Sequence, residues 1–308
     1  MRRRLHSSDV YRYETLVFDL TLIKERFPNQ VELQVIGKSV EERAIYALKI
    51  GSGDQVILCH GAHHAREWMT SWLIADFIKR LLESEQEPWL TIRENWLSEL
   101  TFWFIPMINP DGVTLVQKGA DTFSNSAELL KWNQGSPDFT SWKANSRGVD
   151  LNRQYPTDWE TIQKDPGEPS PSHFKGYQPL SEPEVQALVQ FVKQHKIDCA
   201  VAYHSSGEEI FWRYNLPDKL ANKHRPLAEL LAKVTSYELI EPKGTPSGGG
   251  FTDWFLTEYQ RPSFTMEIAP SIGPRPVPNL LYERVFTKNE PVLYTIGSYL
   301  IKKAQKIR

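Results

Sequence analysis

Apolar residues recur along this chain with two periods. Short runs and strict alternations mark strands, and spacings of three and four mark helices. Leu16, Val17, Leu20, Ile23 and Phe27 share one helical face, so the spacing predicts a helix over 11–27, stopped by Pro28-Asn29. Residues 31–36 and 43–50 alternate, with a turn at Gly37-Lys38-Ser39, and read as hairpin neighbours near a sheet edge. A wholly apolar run at 56–59 reads as a buried central strand, and 69–82 as the amphipathic helix that follows it. Residues 100–108 form an interior strand that ends in the turn signal Asn109-Pro110-Asp111-Gly112. From 113 to 179 periodicity is lost. So long a stretch is unusual as plain connection, and its tryptophans point to an ordered loop wall.

The pattern then resumes. Ser181 caps a helix that runs to about His195, with Glu184 three residues on. Strands are expected at 197–203, 210–214 and 263–268, and helices at 226–235, 251–259 and 290–304, with a flexible loop at 244–250. Strands and helices alternate without an internal repeat or low-complexity linker. That predicts one α/β domain over 1–308, with a mixed, mostly parallel sheet and helices on both faces.

Composition narrows the class. A chain of 308 residues, 40% of them hydrophobic, buries a large core without disulfide staples. Its two cysteines, Cys59 and Cys199, end apolar strands and read as buried thiols. A net charge of −2 gives no general pull on nucleic acid, and Arg2 to Arg4 is the one dense basic run. No apolar segment reaches membrane-span length, and no apolar run follows the terminal arginines as a secretory signal requires. Neither a nucleic-acid nor a membrane partner is expected.

The chemistry gathers at strand ends. Cys59 to Trp68 reads C-H-G-A-H-H-A-R-E-W at a strand-to-helix junction, where open α/β sheets place their sites. His64 and Glu67 stand three apart and can face one point, and imidazole nitrogen and carboxylate oxygen both suit zinc. A third ligand must come from elsewhere. Two more strand exits carry polar groups, His204 and Glu267, and one shared rim is the simplest placement for all of them. The plainer alternatives are a loop histidine at 64, a satisfied core histidine at 204 and an ion-paired carboxylate at 267.

Five stretches in order bring in a family. They are His64-Ala65-Arg66-Glu67-Trp68, Asn109-Pro110-Asp111-Gly112, Gly148-Val149-Asp150-Leu151-Asn152-Arg153, Tyr203-His204-Ser205 and residues 263–267. With them the chain resembles the zinc carboxypeptidases, the funnelin-type metallopeptidases, over nearly its whole length. The resemblance implies one Zn²⁺ per chain on His64, Glu67 and His204, with an open position for water whose pKa the ion lowers. It implies Glu267 as general base and acid. It implies Asn152 and Arg153 as the grip on the substrate carboxylate, with Arg66 in support. His60 and His63 match no ligand position; His60 is placed to orient a neighbour. A non-catalytic binding module would require a lost ligand or base, and all four positions are present.

Three departures from the pancreatic enzymes stand out. Where those carry an oxyanion-stabilising arginine, this chain reads Trp142-Lys143-Ala144-Asn145, so Lys143 supplies the charge unless it is a solvated loop lysine. The mobile tyrosine position falls on Gly244. The pocket-floor segment, near Gly250 to Thr252, is one residue longer before Asp253-Trp254 and carries no aspartate. Residues 142–145 with 147–153 resemble the bacterial γ-D-glutamyl-diamino-acid peptidases. That branch implies a peptidoglycan-derived peptide substrate cut at its γ-D-glutamyl–meso-diaminopimelate bond. It also implies a cytoplasmic or forespore setting, the extracellular one remaining open. A conventional carboxypeptidase acting on α-linked peptides is the alternative.

Overall fold

A computed structural model describes residues 10–242 and 247–306. Among these, eight strands form one sheet: β1 (Val31–Lys38), β2 (Ala44–Gly51), β3 (Gln55–Gly61), β4 (Leu100–Ile105), β5 (Cys199–Ser205), β6 (Glu209–Phe211), β7 (Glu238–Ile240) and β8 (Ser263–Ile268). Their order is β1-β2-β4-β3-β5-β8-β6-β7. The central run β4-β3-β5-β8 is parallel, and the β1-β2 hairpin joins it antiparallel. Wholly apolar strands are what a sheet covered on both faces requires. Along β3 the side chains alternate accordingly: Ile57 and Cys59 join one core, Leu58 the other.

The helices are α1 (Tyr13–Arg26), α2 (Met69–Glu83), the single turn α3 (Trp89–Thr91), α4 (Pro110–Lys118), α5 (Ser126–Trp132), α6 (Pro183–Gln194), α7 (Asp218–Thr235), α8 (Phe251–Tyr259), α9 (Tyr282–Asn289) and α10 (Val292–Gln305). Apolar stripes of α1, α2, α7, α9 and α10 cover one face of the sheet; α6 and α8 cover the other. The chain is a single α/β domain of the expected layering. Cys59 and Cys199 are buried free thiols on the neighbouring strands β3 and β5.

Several expected boundaries move, each for a local reason. The strand beginning at Leu100 stops at Ile105, and the Asn109-Pro110-Asp111-Gly112 turn is the start of α4. Asn109 caps that helix by accepting from Gly112 N at 2.9 Å, and Pro110 occupies the first turn, where its missing N–H costs nothing. Glu182, not Ser181, is the N-cap of α6; the Ser181 hydroxyl donates instead to Gln154 Oε1 at 3.0 Å and Glu182 Oε1 at 2.8 Å. The helix expected from Pro226 begins at Asp218 and carries Pro226 inside it. The strand expected at 210–214 spans Glu209–Phe211; the helix expected at 290–304 is α10, and α9 before it was not expected.

The aperiodic stretch from 113 to 179 is ordered, as its tryptophans required. Leu115, Phe123, Leu129, Phe139, Trp142 and Ala144 pack into a small core of their own together with Ala65 of the His64 loop. Gly244 and the first part of the expected loop, 244–246, lie outside the described residues; 247–250 are non-helical and lead into α8.

Candidate active site

Strands β3, β5 and β8 are parallel neighbours, so their carboxyl ends open on one rim. The loop after β3 is clamped there from two sides. Asn109 Nδ2 donates to His63 O at 2.9 Å and to Ala144 O at 3.2 Å, and Ala65 N donates to Lys143 O at 3.1 Å. Gly112 is required by this clamp, because a Cβ there would lie 2.5 Å from Ala144 O. Asp111 anchors the far side, accepting from Ser39 Oγ at 2.8 Å and Arg43 Nη1 at 2.6 Å.

The clamped loop brings His64 and Glu67 to His204, at the end of β5. One potential ligand atom from each lies within 4.8 Å of the others, and all three residues are buried. His64 Nδ1 is 2.9 Å from Glu67 Oε1, His204 Nδ1 is 2.9 Å from Glu67 Oε2, and the two Nδ1 atoms are 3.0 Å apart. Two imidazole nitrogens and a carboxylate converge on one buried point, which is the arrangement a bound cation needs. Ligands at about 2.0–2.1 Å in a tetrahedral site stand only slightly farther apart than this. The donor set, two nitrogens and one oxygen, fits zinc with a position left open. His64, Glu67 and His204 thus form a single Zn²⁺ site, one per chain.

The surroundings tune these groups. Burial alone would raise the Glu67 carboxyl, but the charges of His64 and His204 and their hydrogen bonds hold it far below the usual carboxylate range. Burial lowers the His204 imidazole, with the Glu67 carboxylate opposing it. Behind His64 stands Asp150, whose Oδ1 lies 3.2 Å from His64 Nε2. Burial works to raise Asp150, and Lys143 and His64 more than offset it. An outer carboxylate of this kind sets a metal-bound histidine's tautomer and orientation. Asp150 was not among the expected site residues. The signal for it was present, a carboxylate two residues before Asn152, but its partner lies far off in sequence.

Glu267 on β8 is the register partner of His204 on β5. Burial and the nearby Glu67 charge push its carboxyl up to about 8, while Lys143 and Arg66 pull it down. Lys143 Nζ lies 3.7 Å from Asp150 Oδ2, with its side chain only 14% exposed, so it is not a solvated loop lysine. Arg66 stands at the rim, where Nη1 donates to Ser141 O at 2.8 Å. Asn152 and Arg153 follow Asp150 in a short 3₁₀ turn. Asn152 Oδ1 accepts from Phe251 N at 2.9 Å, which ties this turn to the start of α8. Asp253 is the first carboxylate past the lengthened pocket segment. Burial raises it to about 6 against the pull of Arg153.

His60 and His63 lie behind the metal loop. His63 Nε2 is 2.9 Å from the Tyr155 hydroxyl. His60 does not orient a neighbour by hydrogen bonding: neither ring nitrogen has a partner among the described residues, and its ring packs edge-on against Phe251 at 4.2 Å. Burial lowers both imidazoles well below their ordinary range, so both are neutral.

Known proteins share this arrangement. The sequence pattern of the zinc carboxypeptidase family matches residues 19–273. A gamma-D-glutamyl-L-diamino acid endopeptidase of Lysinibacillus sphaericus is 32% identical over 284 residues, covering 89% of this chain and 69% of its own length. Human carboxypeptidase B is 28% identical over 286 residues, covering 85% and 64%. In structure, the carboxypeptidase A of Helicoverpa armigera superposes with a TM-score of 0.75 at 21% identity, covering 97% of this chain and 75% of its own, which is likeness of fold. With the two imidazoles and one carboxylate converging at the rim of a matching sheet, this chain belongs to the zinc carboxypeptidase family and is a zinc-dependent peptidase.

Proposed function

We propose that this peptidase hydrolyses the γ-D-glutamyl–meso-diaminopimelate bond of peptidoglycan stem peptides. The observation that carries this reading is the 32% identity, over most of the chain, to a gamma-D-glutamyl-L-diamino acid endopeptidase. Lys143 beside Asp150 supports it, since the same stretch carries the sequence resemblance to that branch.

The residues divide the work as follows. Zinc, when bound, supplies the positive charge that acidifies water and polarises the scissile carbonyl. Glu267 accepts a proton from the attacking water and returns it to the leaving amine. Lys143 meets the charge that develops on the carbonyl oxygen, as a point charge held in place by Asp150. Arg153 and Asn152 hold the carboxylate of the leaving diamino acid. The oxygen of the Asn152 amide is taken by Phe251 N, which leaves its NH₂ group to donate. Arg66 adds positive charge at the rim, on the side of Glu267.

A conventional carboxypeptidase acting on α-linked peptides is the second reading, favoured by the 28% identity to human carboxypeptidase B. Product analysis separates the two. L-Ala-γ-D-Glu-meso-diaminopimelate is offered beside a blocked α-linked dipeptide with a free C-terminus. Release of diaminopimelate with no action on the dipeptide supports the proposal; cleavage of the dipeptide alone refutes it.

A further inference from the structure

His173 lies in the loop that closes over Asp150, and nothing above gives it a task. Its backbone N–H donates to Asp150 Oδ2 at 3.2 Å, the same oxygen that faces Lys143 Nζ at 3.7 Å. Its φ is +68°, a left-handed conformation that a residue with a Cβ rarely adopts unless its surroundings hold it. One ring nitrogen is occupied: Nδ1 lies 2.9 Å from Ser172 Oγ. Nε2 has no partner among the described residues, and the side chain is only partly buried. A histidine fixed by its backbone, by one ring nitrogen and by a strained φ, with the other nitrogen free, is set to meet something from outside the chain.

The charge around it says what. Lys143, which shares Asp150 Oδ2 with the His173 N–H, acts on the ring by its charge, as does Arg153. Burial and these two cations hold the imidazole below its ordinary pKa, with Asp150 only partly opposing, so near neutral pH the ring is an uncharged hydrogen-bonding group beside two cations. Asp150 is already engaged by His64, by Lys143 and by the backbone N–H groups of Asn152 and His173. An anion is the complementary ligand. Arg153 is committed to the leaving residue's carboxylate, whereas His173 shares its anchor with Lys143, on the side of the scissile carbonyl.

A γ-glutamyl linkage differs from an α-linkage in one chemical respect that bears on this. It leaves the α-carboxylate of the acyl residue free, close to the bond being cut; an α-linkage consumes that group. We infer that His173, with Lys143, recognises the free α-carboxylate of a γ-linked acyl residue and so sets the enzyme's preference for γ-linked over α-linked peptides. His173 is a specificity residue that touches substrate and moves no proton. The inference rests on the proposed function and names the group by which that substrate is read.

The test compares two γ-linked substrates, L-Ala-γ-D-Glu-meso-diaminopimelate and the same peptide with its D-glutamyl α-carboxylate amidated, on the zinc-loaded enzyme. Wild type is expected to favour the free acid in kcat/KM. His173→Gly removes the ring while accepting the left-handed backbone, and is expected to shrink that ratio by about tenfold or more, the scale of one hydrogen bond to a charged group. His173→Asn tolerates the same φ and keeps a shorter donor, so its ratio should fall between the two; it decides the question if the glycine variant loses zinc. A ratio that does not move in the folded variant overturns the role of His173 and leaves the proposed function standing. Wild type inactive on both γ-linked peptides while cutting an α-linked one overturns both.

Discussion

His204 on β5 and Glu267 on β8 are register partners in adjacent parallel strands, so the backbone alone sets the carboxylate proposed to move protons beside a metal ligand. Neighbouring strands lie about 4.8 Å apart, and parallel partners project to the same side. No loop motion is needed to assemble this pair, and its two members can be separated by mutation.

Replacing Glu267 by Gln keeps shape and hydrogen-bonding capacity but removes the base. Turnover should fall by about 10²–10⁴-fold, the usual range for general acid–base catalysis. Because Glu267 is not one of the three converging ligands, zinc content should stay at one per chain. Steady-state rates with elemental analysis of the same preparation check this; an active, fully loaded variant would remove Glu267 from the mechanism.

Asp150→Asn acts on the metal from outside the ligand set. It weakens the hold on His64 Nε2 and the pairing with Lys143 Nζ. Zinc affinity should drop by about 10–100-fold. Competition with a chromogenic chelator reads this directly, and an affinity equal to wild type would show that His64 is oriented without Asp150.

Arg153→Ala removes the cation assigned to the substrate carboxylate. Transition-state binding should weaken by roughly 2–5 kcal/mol, the range for truncating one partner of a charge pair. The loss should appear in kcat/KM on substrates with a free carboxylate and be much smaller when that carboxylate is amidated. Equal losses on both would indicate that Arg153 supports the fold of the 151–153 turn and not the substrate.

Stability should depend on pH through Glu184, which is not among the metal ligands. This carboxyl is buried, one of its oxygens has no partner among the described residues, and burial with the charges of Asp111 and Glu182 raises it from 4.5 to about 8. The folded state therefore binds the proton more tightly than the unfolded chain. Its contribution is full below about pH 4.5 and is lost as pH rises through about 8. Glu184→Gln keeps the uncharged form at every pH, so the melting temperature of wild type should fall relative to the variant across that window. Parallel melting curves would show that Glu184 titrates normally.

Much of this protein is written locally. Apolar runs placed the central strands, because a residue's two neighbours along a strand already decide which face is buried. The pair His64 and Glu67 was readable because three residues suffice to aim both side chains at one point. Helix ends were less legible. Pro226 looks like a start but lies inside α7, where packing against the sheet outweighs local propensity, and α9 was not foreseen at all. The stretch from 113 to 179 has no period because its order comes from a small core of its own and from clamps to the metal loop, neither of which imposes a regular spacing.

The sequence by itself determined the class of chemistry: which residue types can hold zinc, and that strand ends deliver them. Tertiary structure alone decided which groups meet. Asp150 reaches His64 across 86 residues of chain, His204 reaches it across 140, and His60, four residues before His64 on β3, ends with its ring against Phe251 and no polar partner among the described residues. The reason is physical. Electrostatic and hydrogen-bond energies depend on distance in space, and only the packed sheet and its clamped loops convert separations along the chain into separations of about 3 Å.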